Sequence, residues 1–281
     1  MRPGVDIRDH VPSLHRAVHP SGVGAWTDPV LSDRGIIVAF SERSGGASEP
    51  PYDSLNLAAH VGDSAEAVDA NRASLLAALG VRHLRSALVT AEQVHGERIA
   101  VITSADAGAG SRSTAAAPIG ATDALLTQVS GVPLLMCYAD CVPVILVAPG
   151  ISRGVCVVHA GWRGALAGLP GSAARELAAR CACDPSEMLV YVGPHIGRCC
   201  YEVGEGILSQ FCNTFDTIGA VDGRLDLGAA VRESLTRNGV STQRITEIGL
   251  CTRDHTDRFF SYRADPVTGR HGALAVIAEG E

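Results

Sequence analysis

The chain has 281 residues, of which 46% are hydrophobic and 19% charged, enough apolar material for one large folded domain or two small ones. Its 23 basic and 30 acidic residues give a net charge of -7, so it lacks the basic surface that sequence-independent nucleic-acid binding requires. Neither an apolar signal core near the start nor a membrane-length apolar run is found, and we expect a cytoplasmic protein with no membrane partner.

The first elements are predicted from apolar runs and helix caps. We expect residues 1–34 to form an N-terminal extension without sustained periodicity and residues 35–281 to form a single domain. The first predicted strand is residues 35–40, followed by a loop rich in Gly, Ser and Pro at 41–53. A helix follows at about 65–79, with Asp63 or Ser64 as its N-cap.

Arg72 lies on the apolar face of this helix, in phase with Val68 and Leu75. A structural arginine could run its stem along the core edge and pair with a carboxylate such as Asp69. The alternative, which we adopt as a hypothesis, is that Arg72 binds an anion.

The rest of the chain mixes strands and helices. The predicted strands are residues 87–90, 98–103, 124–127, 133–137, 142–147, 154–159, 189–193, 245–251 and 273–278. The predicted helices are residues 168–181, 204–215 and 227–238. Residues 105–121, rich in Ala, Gly and Ser, are expected to form a mobile surface loop within the domain. The order lacks strict β-α-β alternation.

The basic residues and cysteines limit the available chemistry. Because the chain contains no Lys, Schiff-base chemistry and a P-loop lysine are excluded, and any anion must be held by Arg, backbone amides or a metal. Nine Cys, with Cys199 next to Cys200 and no CxxC pair, argue against a disulfide framework, a zinc ribbon or a thioredoxin-like motif.

Three motifs place a His or Cys where an apolar run meets a turn: His95 in QVHG, Cys141 in ADC and His159 in HAGWRG. Alone, each would more often be a structural residue. Together, two imidazoles and one thiolate suit a catalytic Zn²⁺ with a fourth position left for water or substrate. Their wide separation means that only the fold could bring them together.

The motifs in their order resemble the bacterial YfiH family, also called laccase-domain or peptidoglycan-editing-factor proteins. The resemblance rests on SLNL (54–57), HVGD (60–63), NR (71–72), QVHG (93–96), TDAL (122–125), ADC (139–141), HAGWRG (159–164), GPHIG (193–197), CCYEVG (199–204), CT (251–252), FFSYR (259–263) and TGR (268–270). Two departures are Arg198, where the family usually has Pro, and Ala264, where a second Arg is common.

This resemblance implies an α+β fold in which mixed β-sheets form a sandwich flanked by helices, in α/β/β/α layers. It also implies zinc bound by His95, Cys141 and His159, which would be the catalytic residues. The implied activities are phosphorolysis of adenosine, inosine and methylthioadenosine, and deamination of adenosine. The partners would be purine nucleosides and phosphate.

The sequence specifies the substrate and phosphate ligands less closely than the metal ligands. Arg43 in the glycine-rich loop, Arg72, and Arg263 after the aromatic pair are the candidate phosphate ligands, since Arg binds phosphate in bidentate fashion. Asn56 of the SLNL motif is the remaining candidate substrate ligand. For deamination, zinc would activate water, although the usual H-x-E and P-C-x-x-C deaminase signatures are absent.

Three alternatives stay open. The same ligands could hold copper and oxidise polyphenols, but no two of the ten His are separated by a single residue, as multicopper centres require. Cys141 could instead be the nucleophile of a hydrolase or amidase acting in peptidoglycan editing, with His159 or His95 as its base. The third alternative is a non-enzymatic binding protein that acts at the cell wall or in cell division.

Overall fold

The computed structural model describes residues 7–111, 116–149, 152–219 and 222–278. The strands are β1 (His15–Val18), β2 (Gly24–Thr27), β3 (Ile36–Ser41), β4 (Val89–Thr90), β5 (Ile99–Ile102), β6 (Ala124–Thr127), β7 (Leu134–Tyr138), β8 (Val142–Ala148), β9 (Gly154–Ala160), β10 (Leu189–Val192), β11 (Ile245–Glu247) and β12 (His271–Ile277). The helices are α1 (Pro29–Ser32), α2 (Ala65–Ala78), α3 (Trp162–Leu166), α4 (Leu169–Cys181), α5 (Glu205–Thr214) and α6 (Leu227–Arg237).

The strands form two six-stranded mixed sheets. Sheet A has the order β1-β2-β3-β12-β7-β4, and sheet B has the order β11-β10-β8-β9-β6-β5. Most neighbouring strands are antiparallel, whereas β4 with β7, β5 with β6, and β10 with β11 are parallel. This mixed pairing agrees with a chain in which strands and helices do not alternate strictly.

The strand sequences explain the layers, because alternate side chains leave opposite faces of a sheet. Val38 and Phe40 of β3 point into the core between the sheets, whereas Ile37 points to the other face of sheet A, against α2. The far face of sheet B, including Val144 and Val158, packs on α4, α5 and α6. The expected α+β sandwich with α/β/β/α layers is therefore confirmed.

Helix α2 begins as its cap predicts. The Ser64 hydroxyl accepts a hydrogen bond from the Ala67 amide, and Gly80 follows the helix with a positive φ of 76°. Glycine adopts this left-handed conformation without steric cost, which favours it just after a helix. The predicted boundaries of 65–79 are correct to within one residue.

Residues 15–27 differ from the prediction, which placed no strand before residue 35. The structure contains β1 and β2, which extend sheet A through the pairing of β2 with β3. All four residues of β1 are exposed, so this strand carries no alternating apolar pattern by which a sequence could reveal it. The domain division at residues 34 and 35 stays a prediction.

The segment at 105–121 borders β4. Thr90 donates its amide to the Ala109 carbonyl and accepts from the Ile119 amide, so both ends of the segment are tied to the edge of sheet A. Residues 112–115 lie outside the described residues, and the mobility that we expected is not tested. Among the helices that the structure describes, none combines the length and apolar character required to cross a membrane.

Two connections lead from sheet A to sheet B. Residues 91–98 join β4 to β5, and residues 139–141 join β7 to β8. The Gln93 side chain continues sheet A in the first connection, donating to the Cys137 carbonyl and accepting from the Cys137 amide at 2.8 and 2.9 Å. This pairing fixes the first connection beside β7.

Candidate metal centre

His95, Cys141 and His159 meet where the two sheet connections approach the end of β9. His95 belongs to the first connection, Cys141 to the second, and His159 to β9 of sheet B. One potential ligand atom from each residue lies within 4.8 Å of the other two. The His95 and His159 rings meet edge to face, with centroids 4.9 Å apart. This arrangement can hold a metal ion.

Asp123 orients both histidines from the start of β6. Its side chain is fully buried and accepts hydrogen bonds from the backbone amides of Val94, His95 and Gly96 at 3.2, 3.0 and 2.7 Å. Its Oδ1 also lies 2.8 Å from Nδ1 of His159. A carboxylate that accepts the Nδ1 proton leaves the Nε2 lone pair of His159 available to a metal, as in carboxylate-histidine-zinc triads.

The site also favours a thiolate. Burial raises the pKa of Cys141, but the charges of His159 and His95 and their hydrogen bonds to the thiol outweigh it and lower that pKa to about 6. Burial lowers the pKa of His159, but Cys141 and Asp123 raise it to about 9. At neutral pH and without a metal, Cys141 is therefore a thiolate and His159 an imidazolium. A divalent cation bound here would replace the imidazolium proton.

The backbone at the site adopts sparsely populated conformations. His95 has a φ of 59° and Asp140 a φ of 91°, both in the left-handed region that favours glycine. At Gly161, a Cβ atom would lie 2.6 Å from Cδ2 of His95 and 3.4 Å from Sγ of Cys141. Strain of this kind persists only where surrounding contacts hold it, and it is typical of functional sites.

Asp140 provides those contacts for the Cys141 turn. Its Oδ1 accepts the Thr252 hydroxyl proton at 2.6 Å, and its Oδ2 accepts the Arg263 amide at 2.7 Å. Its backbone carbonyl accepts the Ile196 amide at 3.0 Å. Three distant segments therefore hold the residue before Cys141.

A cavity of about 640 Å³ opens beside the three candidate ligands. Its walls include aromatic and polar side chains: His60, Gln93, Trp162, Tyr201 and Tyr262. A second cavity of about 620 Å³ shares His60 and Gln93 with the first and also includes Arg72 and Glu92. These volumes lie within the range of small-molecule sites.

Three arginines line the first cavity: Arg163, Arg263 and Arg270. Arg263 donates to the Glu202 carbonyl at 2.9 Å and lies over the Tyr201 ring. Burial lowers the pKa of Arg270, since its charged form is removed from water. An anion in the cavity would offset that cost.

The other predicted ligands have structural contacts. Arg43 donates to the carbonyls of Asp53 and Thr256, both at 2.8 Å, and stacks on Phe260. The cavity lining does not include it. These contacts join two loops, and phosphate binding by Arg43 stays a prediction.

Asn56 is fully buried and outside the lining of the first cavity. Its amide donates to the Ala58 carbonyl and to Asp63, and its oxygen accepts the amides of Ala58 and Arg270. Asn56 therefore holds the backbone of Arg270, and its role as a substrate ligand stays a prediction.

Arg72 is 4% exposed and borders the second cavity. It donates to the carbonyls of Leu57 and Gly110 at 2.9 and 2.7 Å. Asp69, the carboxylate considered as its partner, instead pairs with Arg85. These contacts support the structural alternative, and phosphate binding by Arg72 stays a prediction.

Sequence reasoning assigned no role to Asp123, Asp140, His60 or Arg270. Each lies within a motif that carried the family resemblance, which was the available signal. Their roles depend on contacts across the fold, such as the pairing of Asp123 with His159, 36 residues away. No local sequence pattern predicts such a pairing.

Comparison with known proteins identifies the family of the chain. Residues 37–278 match the family model described as multi-copper polyphenol oxidoreductase laccase. The purine nucleoside phosphorylase YlmD of Geobacillus stearothermophilus is 36% identical over 256 residues, covering 88% of this chain and 91% of that protein. The purine nucleoside phosphorylase YfiH of Escherichia coli is 35% identical over 254 residues, covering 88% and 95%.

A solved structure extends the comparison to the fold. The crystal structure of YlmD from Geobacillus stearothermophilus superposes with a TM-score of 0.82 at 34% identity, covering 91% of this chain and 96% of that one. The motifs, the layers and the relatives therefore agree with one another, and the chain belongs to the laccase-like YfiH family.

Proposed function

We propose that this protein is a zinc-dependent purine nucleoside phosphorylase that also deaminates adenosine. The substrates would be adenosine, inosine and methylthioadenosine, and phosphorolysis would yield the free base and ribose or methylthioribose 1-phosphate. The observation that carries the proposal is the convergence of His95, Cys141 and His159 to within 4.8 Å beside a cavity that three arginines also line. Relatives named purine nucleoside phosphorylase support it.

The donor set fits zinc. Two imidazole nitrogens and one thiolate leave a fourth tetrahedral position for a ligand from solution or substrate. Asp123 accepts the Nδ1 proton of His159 and so fixes the ring orientation, as a carboxylate hydrogen-bonded to a zinc-bound histidine does. Zinc held here would supply a Lewis acid beside the substrate and, in deamination, would activate water for addition to the purine ring.

The arginines suit the phosphorolysis step. A phosphate oxygen bonds to C1′ of the ribose as the C1′–N9 bond breaks, and the departing purine keeps the electron pair and takes up a proton. Arg263 and Arg270 would hold the phosphate by charge-assisted hydrogen bonds, as Arg does at many phosphate sites. The aromatic rings of Trp162, Tyr201 and Tyr262 offer surfaces for the purine.

Product chromatography tests the proposal. Zinc-replete protein should convert inosine to hypoxanthine only when phosphate is present, and adenosine to inosine without phosphate. Cys141→Ala should remove both activities, whereas Arg263→Met should reduce phosphorolysis far more than deamination. Arg180→Met is the matched control, because Arg180 pairs with Glu176 on the surface of α4.

Two results would reject the assignment. Phosphate-independent release of base from inosine would indicate a nucleoside hydrolase. No turnover of any nucleoside by zinc-replete protein would remove the nucleoside activities altogether. Elemental analysis of the protein as purified identifies the metal, and copper in place of zinc would favour the oxidase reading of the family description.

A cysteine hydrolase is the second candidate. Cys141, with its pKa lowered to about 6, contacts His159, which in turn contacts Asp123, in the order of a nucleophile, a base and an orienting carboxylate. In that case the protein would act without metal, and iodoacetamide would modify Cys141 rapidly and abolish activity. Zinc at one equivalent that protects Cys141 from modification would favour the phosphorylase.

The proposed location is the cytoplasm. The nine Cys of the chain are all free thiols in the structure. Thiols persist in this form in a reducing compartment. A cysteine ligand at the proposed zinc centre would be preserved under the same conditions.

A further inference from the structure

A second group of metal-ligating side chains lies outside the candidate metal centre. Its members are Cys199, Cys200, Cys251 and Asp254, and the potential ligand atoms of all four lie within 4.8 Å of one another. We propose that these four side chains bind one divalent metal ion of the zinc type as a structural site. The proposal does not depend on nucleoside chemistry, since it shares no residue with the first centre.

Two hydrogen-bonded turns present the four side chains. In the first turn, the Cys200 and Tyr201 amides both donate to the Gly197 carbonyl, at 3.0 and 3.1 Å. In the second, the His255 amide donates to the Cys251 carbonyl at 3.1 Å. The ligands are therefore held by ordered backbone on both sides.

The two turns are also joined to each other. Cys251 forms a β-bridge with His195, and the Gly197 amide donates to Sγ of Cys251 at 3.3 Å. A Cβ atom at Gly197 would lie 3.1 Å from Sγ of Cys199, so glycine permits this close approach. The backbone contacts of the two turns thus bring the sulfur atoms together.

Asp254 completes the set from the open side. Its Oδ2 accepts the Cys199 thiol proton and its Oδ1 the Cys200 thiol proton, each at 3.0 Å. Metal binding would replace these two protons and the proton of the Cys251 thiol, releasing three protons to solvent as three thiolates and one carboxylate coordinate the ion. Cys199 and Asp254 are exposed, so a metal can enter from solvent.

The dimensions and the charge suit zinc. Zn–S bonds of about 2.3 Å in a tetrahedron place sulfur atoms about 3.8 Å apart, so the present separations need to contract by about 1 Å at most. Four anionic ligands leave a net charge of about -2 on the bound site. The Arg253 guanidinium, which hydrogen-bonds to Cys200, is placed to offset part of this charge.

The proposed site would stabilise one wall of the first cavity. Tyr201, immediately after Cys200, lines that cavity. Thr252, immediately after Cys251, donates to Asp140 and so supports the turn that carries Cys141. A metal bound here would hold both segments while remaining outside the cavity lining.

Metal content separates this site from the first one. Protein produced with added zinc and reductant should hold two equivalents, and Cys251→Ser should lose one of them. Cys141→Ala should lose the other equivalent. The one equivalent that this variant retains would then be bound at the proposed site. Cys212→Ser, which alters a partly buried thiol on α5, is the control and should keep the wild-type content. A folded Cys251→Ser protein with unchanged metal content overturns the proposal.

Alkylation of wild-type protein provides a test that requires no variant. Zinc should protect Cys199, Cys200 and Cys251 together from iodoacetamide, and a chelator should expose them together, as peptide mass mapping would show. Equal modification of Cys199 with and without zinc overturns the proposal. So does a disulfide among the three thiols in protein purified with added zinc and without reductant, because the cluster would then be a redox pair.

Discussion

Asp123→Asn tests how one buried carboxylate organises the candidate metal centre. In the wild type, Oδ1 accepts hydrogen bonds from the His95 amide and from Nδ1 of His159, and Oδ2 accepts from the amides of Val94 and Gly96. Asparagine has only one acceptor oxygen, so two of these four hydrogen bonds are lost in either orientation of the amide. At about 1.5–3 kcal/mol for each bond to a charged group, the free energy of unfolding should fall by about 3–6 kcal/mol.

The same substitution should weaken metal binding. Loss of a carboxylate that orients a metal-bound histidine typically costs about 10–100-fold in metal affinity. This corresponds to about 1.4–2.7 kcal/mol. Competition with a chromogenic chelator measures the zinc Kd, and urea denaturation of the metal-free protein measures the stability change separately.

Asp28→Asn is the matched control. Asp28 is also fully buried, contacts His10 and the Tyr191 hydroxyl, and caps α1. Its substitution should lower stability to a similar extent and leave the zinc Kd unchanged. If Asp123→Asn protein keeps the wild-type zinc Kd, or if Asp28→Asn weakens zinc binding equally, Asp123 does not act through His159.

Three further substitutions have defined outcomes. Gly161→Ala should reduce metal content, because its Cβ would lie 2.6 Å from His95; wild-type metal content would show that the ring can move aside. Arg72→Ala should lower the free energy of unfolding by about 3 kcal/mol in urea titrations, since two carbonyls lose a donor, whereas a higher phosphate KM at unchanged stability would restore its ligand role. Buried Glu42 pairs with Arg16 and Arg258. Burial raises the pKa of Glu42, but the two arginines outweigh burial and lower it below 4.5, so the stability that the charged carboxylate contributes is present above pH 4.5 and is lost as pH falls through the folded pKa. Glu42→Gln should therefore be less stable than wild type at neutral pH, and the difference in thermal unfolding should disappear in acid.

Much of the element order could be predicted because burial leaves a local pattern. Both faces of β3 and β7 are covered, so these strands appear as continuous apolar runs, and α2 is bounded by Ser64 and Gly80. The exposed strand β1 has no such pattern and was missed. Its position depends on pairing with β2, which a sequence of four exposed residues does not specify.

The candidate ligands His95, Cys141 and His159 could be chosen from strand ends and from the family resemblance. The residues that position these ligands, Asp123 and Asp140, could not be chosen from the sequence, because they act through contacts with residues far along the chain. Arg43, a chemically suitable side chain in a glycine-rich loop, donates to two carbonyls, and its phosphate binding stays a prediction. Residue type indicates what a side chain can bind, whereas the fold determines which partner it meets.

The connection at 139–141 has a minimum length, which is set by the distance between the two sheets. Tyr138 ends a strand in one sheet and Val142 begins a strand in the other, so three residues cross the sandwich. Four Cα-to-Cα steps extend to about 14 Å, and packed sheets lie about 10 Å apart. Removing one residue would leave about 10 Å of reach, with none to spare for the turn that presents Cys141. Deletions among relatives should therefore be excluded between these two strands, even where the residue types differ.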